Sequence, residues 1–266
     1  MRSMAGTITL ITDYGDRGPF VGMMKAAIWA RAPEARIIDL GHHTPQEWPA
    51  EAGFWLGKVY PHFPPGTVHV AVVDPGVGSA RAIHAASFRG QYFLAPDNGI
   101  LPMIDGFGAD AEVRIVGAEW LRRRQLPEPS ATFHGRDIFA PAAAALACGT
   151  MRLHELGGLA DCSVPALLGP PTISAERVSG RIAAIDSWGN LLTNIDSRHI
   201  AALGPVQIDY AGRRIAFGRT YSDAPAGGLL ALINSFEALE IAAANASAEG
   251  LLGARRGDEV RVLRAD

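Results

Sequence analysis

Short apolar runs that stop at a polar residue recur along the first half of the chain, alternating with stretches of helical spacing. Residues 7–12 (TITLIT) read as a strand that ends at Asp13. Residues 19–31 place Val21, Met24, Ala27 and Ile28 on one side of a helix. Residues 36–40 form a second short strand, and 47–60 a second helix that stops before Pro61. The run HVAVV at 69–73 is β-branched and apolar, reads as a buried strand, and breaks at Asp74 into a Pro-Gly-Val-Gly turn. Two further strands over 82–88 and 91–95 are joined by Arg89-Gly90, and the apolar stretch 138–148 reads as a buried helix with Pro141 near its start.

This alternation predicts an α/β unit whose sheet is mostly parallel with flanking helices. Residues 165–172 (PALLGPPT) interrupt it with a Pro- and Gly-rich segment. Beyond lie short strand-like runs at 180–185, 206–210, 214–217, 229–233 and 259–263, separated by turns. They predict a small C-terminal antiparallel β domain, barrel-like in kind. The expected division is 1–164 for the N-terminal α/β domain, 165–175 for a linker and 176–266 for the C-terminal domain.

Composition narrows the partners. The net charge is −3, with no basic stripe and no block of like charges, which argues against nucleic acid or an anionic membrane surface. Cys148 and Cys162 are the only cysteines, too few for a disulfide framework or zinc spacing. The first 15 residues lack the apolar core and cleavage site of a signal peptide. The stretch 138–148 is too short to span a bilayer. A soluble, cytoplasmic protein is expected.

Polar residues at the ends of apolar runs are the candidate chemistry. In an open α/β sheet ligands sit beyond the carboxyl ends of the strands, where Asp13, His42, His43 and Asp74 fall. Arg81 follows Asp74 by seven residues, and the intervening turn can fold it back as a forked partner. His134 stands in TFHGRD and read alone is a turn histidine, as are His42 and His43; Arg136 and Asp137 read as a local ion pair or helix cap. Together Asp74, Arg81 and His134 are the types that orient a water and handle its proton. In the second half Trp188 and Tyr221 offer flat walls for a base, and Asp13 suits ribose hydroxyls. Core packing is an equally open reading of Trp188. HExxH, CxxC, Walker and GxSxG patterns are absent, so metal, phosphate-loop and serine-nucleophile chemistry are disfavoured.

The motifs LITDYG, VVDPGVGSAR, APDNG, TFHGRDIFAPAAA, DSWGNLLTNI and NSFEALEIA, in this order from about residue 7 to 262, resemble those of the S-adenosyl-L-methionine hydroxide adenosyltransferases, relatives of the fluorinase and chlorinase enzymes. The resemblance implies an α/β domain followed by an antiparallel β domain. It implies a homotrimer with substrate bound at subunit interfaces, and hydrolysis of S-adenosyl-L-methionine to adenosine and L-methionine without a metal or other cofactor. It assigns Asp74, Arg81 and His134 to catalysis. Asp13, Asp186, Trp188, Asn190 and Ser235 are assigned to substrate binding, with Trp48 and Tyr221 as looser matches.

Two departures from the family pattern stand out: Phe236-Glu237 after the Asn-Ser pair, where Gly is common, and Ala244-Asn245-Ala246 in place of a GNA-like run. Val77 in the acid turn and Gly135 after His134 replace the small hydroxyl residues of the halide-using relatives, so water or hydroxide is the expected nucleophile. Either His134 accepts the proton of that water, or the water loses it only as the new bond forms. A binder that does not turn the substrate over, a halide-using enzyme and a metal-dependent hydrolase are the competing readings.

Overall fold

A computed structural model describes residues 6–265. Residues 1–5, part of the stretch read for a signal peptide, lie outside the described residues. The described chain forms two compact units, one up to Leu167 and one from Leu168.

In the first unit the elements are β1 (Thr7–Thr12), α1 (Phe20–Trp29), β2 (Arg36–Gly41), α2 (Ala50–Val59), β3 (Val68–Val72), β4 (Ile83–Phe88), β5 (Gln91–Pro96), α3 (Phe107–Asp110), β6 (Glu112–Ile115), α4 (Ala118–Arg123) and α5 (Ala140–Ala147). One six-stranded sheet has the order β2-β1-β3-β5-β4-β6. The pairs β2–β1, β1–β3 and β3–β5 are parallel, and β4 runs antiparallel to β5 and β6.

Side chains alternate across this sheet, so each face needs its own cover. Val68, Val70 and Val72 of β3 pack with Met24 and Ile28 of α1 and with the alanines of α5. Ala71 and Val73 point the other way, toward Ala52 and Leu56 of α2, Phe88, Phe93 and Ile100. The unbroken apolar run of β3 thus follows from burial on both faces.

Three expectations differ in detail. The second helix begins at Ala50, after Pro49, because residues 45–49 form a turn in which Trp48 N–H donates to the Pro45 carbonyl. The helix expected over 138–148 is preceded by a wide turn, Gly135–Phe139, and is regular only from Ala140. Pro141 has no N–H to continue the ladder, and the wide turn accommodates that gap. β6 escapes sequence reading because it is four residues long, with charges alternating in EVRI.

The second unit contains β7 (Thr172–Ile173), β8 (Arg177–Ile185), β9 (Leu191–Asp196), α6 (Ser197–Ile200), β10 (Val206–Tyr210), β11 (Arg213–Ile215), β12 (Leu229–Ile233), β13 (Ala238–Ala243), α7 (Ala248–Leu252) and β14 (Glu259–Arg264). β7 falls inside the span expected as linker. The strand path is β11-β10-β14-β8-β9-β13-β12, antiparallel throughout, with β7 beside β8. Just past β11, the Ala216 carbonyl accepts from Ala231 N–H of β12 and Gly218 N–H donates to the Ala231 carbonyl, so the two ends of the path meet. β9 and β13 lie inside this path. From sequence they stand out only as motifs, since NLLTNI and ALEIAA lack the alternation of a half-exposed strand.

One buried histidine makes a testable demand on stability. His69 of β3 is fully buried, accepts from Thr9 Oγ1 at Nδ1 (2.8 Å) and donates from Nε2 to Gln91 Oε1 (2.6 Å). Burial lowers its pKa to about 4, against the weaker opposing pull of the Gln91 hydrogen bond. The unfolded chain takes up this proton near pH ~6.5 and the folded chain does not, so stability is complete above that pH and falls between it and about 4. The loss is expected to reach about 3 kcal/mol once both forms are protonated. Urea unfolding of wild type and His69→Gln at pH 7.5 and 5 checks this; equally steep pH dependence in both proteins contradicts it.

Among the described residues no helix is long and apolar enough to cross a membrane.

Candidate active site

β1 lies between β2 and β3, with α1 on one face of the sheet and α2 on the other. The strand order therefore reverses at β1/β3, and the crevice beyond the carboxyl ends of these strands is the expected ligand position. Asp13 follows β1 directly and Asp74 stands two residues past β3. Asp13 Oδ2 accepts from the Asp74 backbone N–H (3.3 Å), so the two acids lie side by side. Burial, ahead of the nearby Asp74 charge, raises the Asp13 carboxyl pKa, while the backbone hydrogen bonds oppose it.

The Pro-Gly-Val-Gly turn brings Arg81 back as its sequence suggested. Val77 N–H donates to the Asp74 carbonyl and Ser79 N–H to the Gly76 carbonyl. Gly78 has φ +80°, and a Cβ there would stand 2.3 Å from the Ala131 carbonyl oxygen, so only glycine fits. Arg81 Nε donates to Asp74 Oδ1 at 2.9 Å and Nη2 donates to Asp74 Oδ2, a forked pair in which the side chains are 11% and 5% exposed.

The same Nη2 meets His134 Nδ1 at 2.9 Å. A guanidinium only donates, so Nδ1 is the acceptor and the His134 hydrogen sits on Nε2. Burial first, and then the Arg81 charge, lower the His134 pKa, which keeps the ring neutral. Asp74, Arg81 and His134 therefore form one connected set, although His134 is 53 residues from Arg81.

Two groups around this set were not singled out from sequence. Asn98, in APDNG, donates from Nδ2 to the Val73 carbonyl (2.8 Å) and clamps the strand end that carries Asp74; its buried Oδ1 has no partner among the described residues. Tyr14 packs edge-on against Phe133 and tilted against Phe20. Burial, with the Asp13 and Asp74 charges, raises its pKa and keeps its hydroxyl protonated. Gly135 leaves room for that hydroxyl, since a Cβ there would lie 2.1 Å from Tyr14 Oη. The position of Tyr14 directly after Asp13 was the available signal.

Trp48 is half-buried in the turn before α2. His42 pairs with Thr12 Oγ1 (2.9 Å) and Asp39 (3.2 Å), and Arg136 forms an ion pair with Asp137 (2.6 Å), as local roles require. Among the described residues no group of three or more His, Cys, Asp or Glu is placed to hold a metal ion.

In the second unit Asp186 organises the β8–β9 hairpin. Its Oδ1 accepts from the backbone N–H groups of Trp188 and Asn190 (both 2.9 Å), and Oδ2 accepts from Asn190 Nδ2 (3.0 Å). The turn lifts Trp188 out to 75% exposure, which removes core packing as its explanation. Tyr221 is 47% exposed and Ser235 lies on an exposed turn. Tyr221 and Asn234, which begins that turn, both bond to Glu240, a residue of the NSFEALEIA motif to which the sequence alone assigns no role.

Comparison with known proteins agrees with both units. The chain matches the family model described as SAM hydroxide adenosyltransferase N-terminal domain over residues 8–157 and the corresponding C-terminal domain model over 180–261. It is 35% identical to a protein of Salinispora arenicola named (R)-S-adenosyl-L-methionine hydrolase, over 97% of this chain and 99% of that one. A protein of Thermus thermophilus with the same name is also 35% identical, over 96% and 99%. A crystal structure of an uncharacterized conserved protein from Thermotoga maritima superimposes with a TM-score of 0.86 at 33% identity, covering 97% of this chain and all of that one. With both domain models matched in order and relatives aligned end to end, the chain belongs to the SAM hydroxide adenosyltransferase family.

Proposed function

We propose that the protein is an (R)-S-adenosyl-L-methionine hydrolase that releases adenosine and L-methionine. The observation that carries this is the Asp74–Arg81–His134 set at the β1/β3 crevice, in a chain whose relatives bear that name. A water held there attacks the ribose 5′ carbon in line with the bond to sulfur. The C–S electron pair leaves with methionine, and a C–O bond forms. The leaving group is a sulfonium, already activated by its positive charge, so the proposal needs no metal or cofactor. The contribution of the protein is to position the water and exclude others.

The connected set suggests how the water is held. Each Asp74 oxygen takes one Arg81 hydrogen bond and keeps a lone pair for a water O–H. His134 has its Nδ1 lone pair occupied by Arg81 and carries its hydrogen on Nε2, so it donates to the water oxygen instead of accepting a proton. The water then loses its proton along the bond to Asp74 as C–O forms, a weak base sufficing for so good a leaving group. Asp13 is assigned to the ribose hydroxyls, with Trp48, Asp186, Trp188, Asn190, Tyr221 and Ser235 completing the substrate contacts. A homotrimer in which neighbouring subunits contribute these groups, acting in the cytoplasm, completes the proposal.

Incubation with S-adenosyl-L-methionine, with and without chloride or fluoride, is expected to give adenosine and methionine at a rate indifferent to halide and to prolonged chelation. A 5′-halogenated nucleoside would point to the halide-using enzymes, binding without turnover to a sensor, and loss of activity on chelation to a metal enzyme.

A further inference from the structure

Glu240 is a carboxylate in the middle of an apolar strand, ALEIAA, and is only 3% exposed. Its neighbours in β13, Leu239 and Ile241, point into the main core of the second unit. Glu240 lies on the opposite face, in register with Leu232 of β12 and Leu192 of β9. Burying a carboxylate is costly unless it is well bonded or paired with a cation. Among the described residues no Lys or Arg pairs with it. Burial, with a smaller push from the charge of Asp186, another acid, raises its pKa, while its two hydrogen bonds oppose the shift.

Those two bonds join separate parts of the unit. Oε1 accepts from the Tyr221 hydroxyl at 2.8 Å, and Oε2 accepts from Asn234 Nδ2 at 2.9 Å. Burial first, and then the bond to Glu240, push the Tyr221 pKa up to about 12, so this hydroxyl stays a donor. Asn234 in turn accepts at Oδ1 from the backbone N–H groups of Phe236 (2.9 Å) and Ala238 (3.2 Å), and its carbonyl accepts from Glu237 N–H (3.0 Å). Asn234 thereby fixes the turn that carries Ser235 and forces Glu237 to φ +59°. One buried carboxylate thus holds both an exposed aromatic ring and an exposed serine turn.

We propose that Glu240 is a positioning residue for substrate: it holds the Tyr221 ring and, through Asn234, the Ser235 turn in the arrangement that receives the nucleoside and its methionine arm. This rests on the functional reading above, which assigns Tyr221 and Ser235 to the substrate. The reacting atoms are not touched by Glu240, so its effect falls on binding.

The test measures KM and kcat for S-adenosyl-L-methionine in wild type, Glu240→Gln, Tyr221→Phe and the double variant. Glutamine cannot accept both bonds, since one of its two polar atoms is a donor. KM is expected to rise about tenfold in each single variant, with kcat within about twofold, and the double variant is expected to be no worse than the worse single one. A merely structural role predicts a lower melting temperature with unchanged KM. A KM within twofold of wild type in Glu240→Gln, or fully additive effects in the double variant, overturns the proposal. Should Glu240→Gln not fold, Tyr221→Phe breaks the same bond from its exposed side, and an unchanged KM there overturns it equally. A wild type that releases no adenosine instead overturns the functional reading and this inference with it.

Discussion

Replacing Asp74 by alanine is expected to lower adenosine release by about 10²–10⁴-fold. The change removes the proposed acceptor for the water and the anchor for Arg81 at once. Arg81 then holds an uncompensated guanidinium in a site where its side chain is 11% exposed, and its Nη2 is no longer aimed at His134. Asp74→Asn is expected to do little better, because only one of its two amide atoms accepts and the other presents N–H groups to a guanidinium that has only N–H groups to offer. His134→Ala deletes one donor and leaves the Asp74–Arg81 fork in place, so a smaller loss on the order of 10²-fold is expected. Single-turnover adenosine release, with circular dichroism to confirm folding, measures each. If folded Asp74→Ala and His134→Ala both keep near-native turnover, the assigned set does not carry the reaction.

Gly135→Ala is the second large effect expected, and it arises from space alone. The added Cβ meets Tyr14 Oη at 2.1 Å. The Tyr14 ring cannot swing away freely, because Phe133 lies edge-on at 5.6 Å and Phe20 at 6.2 Å between ring centres, with Phe20 and Phe133 themselves in contact. Either Tyr14 and its neighbour Asp13 shift, or the turn carrying His134 does. A displacement near 1 Å at a catalytic group costs about 10²-fold in rate, and overpacking costs about 1–3 kcal/mol in stability. Tyr14→Phe in the same chain removes the clashing oxygen and is expected to recover part of both losses. The ring carbons stay within 3.0–3.2 Å of the new Cβ, so recovery is incomplete. Normal turnover in Gly135→Ala, or no recovery in the double variant, contradicts this account of the glycine.

The elements that chemistry punctuates are legible in the chain's local pattern. β3 was legible because an apolar β-branched run buried on both sheet faces leaves a continuous signal, and its end was legible because Asp74 and the Pro-Gly-Val-Gly turn cannot continue a strand. The Asp74–Arg81 pair was legible for the same reason, being local: a tight turn sets the reach between residues seven apart. The family was legible because six short motifs keep their order along the chain. Less was legible in the second unit, where β9 and β13 pass through motifs without a period of their own and are strands because neighbouring strands pair with them.

Long-range packing sets the rest. His134 joins Arg81 because the wide turn before α5 comes to lie over the β1/β3 crevice, a contact between residues 53 apart that no spacing rule encodes. That contact fixes the tautomer, through the plain fact that arginine cannot accept, and leaves His134 with its hydrogen on Nε2. Trp188 reads equally as core or as wall until the hairpin lifts it to 75% exposure. Tyr14, Asn98 and Glu240 acquire meaning only from what they touch. Local pattern records which residues must be buried and where the chain must turn. The partners of a buried polar group are set by long-range packing, because the cost of leaving such a group unpaired falls due only once distant parts of the chain have closed around it.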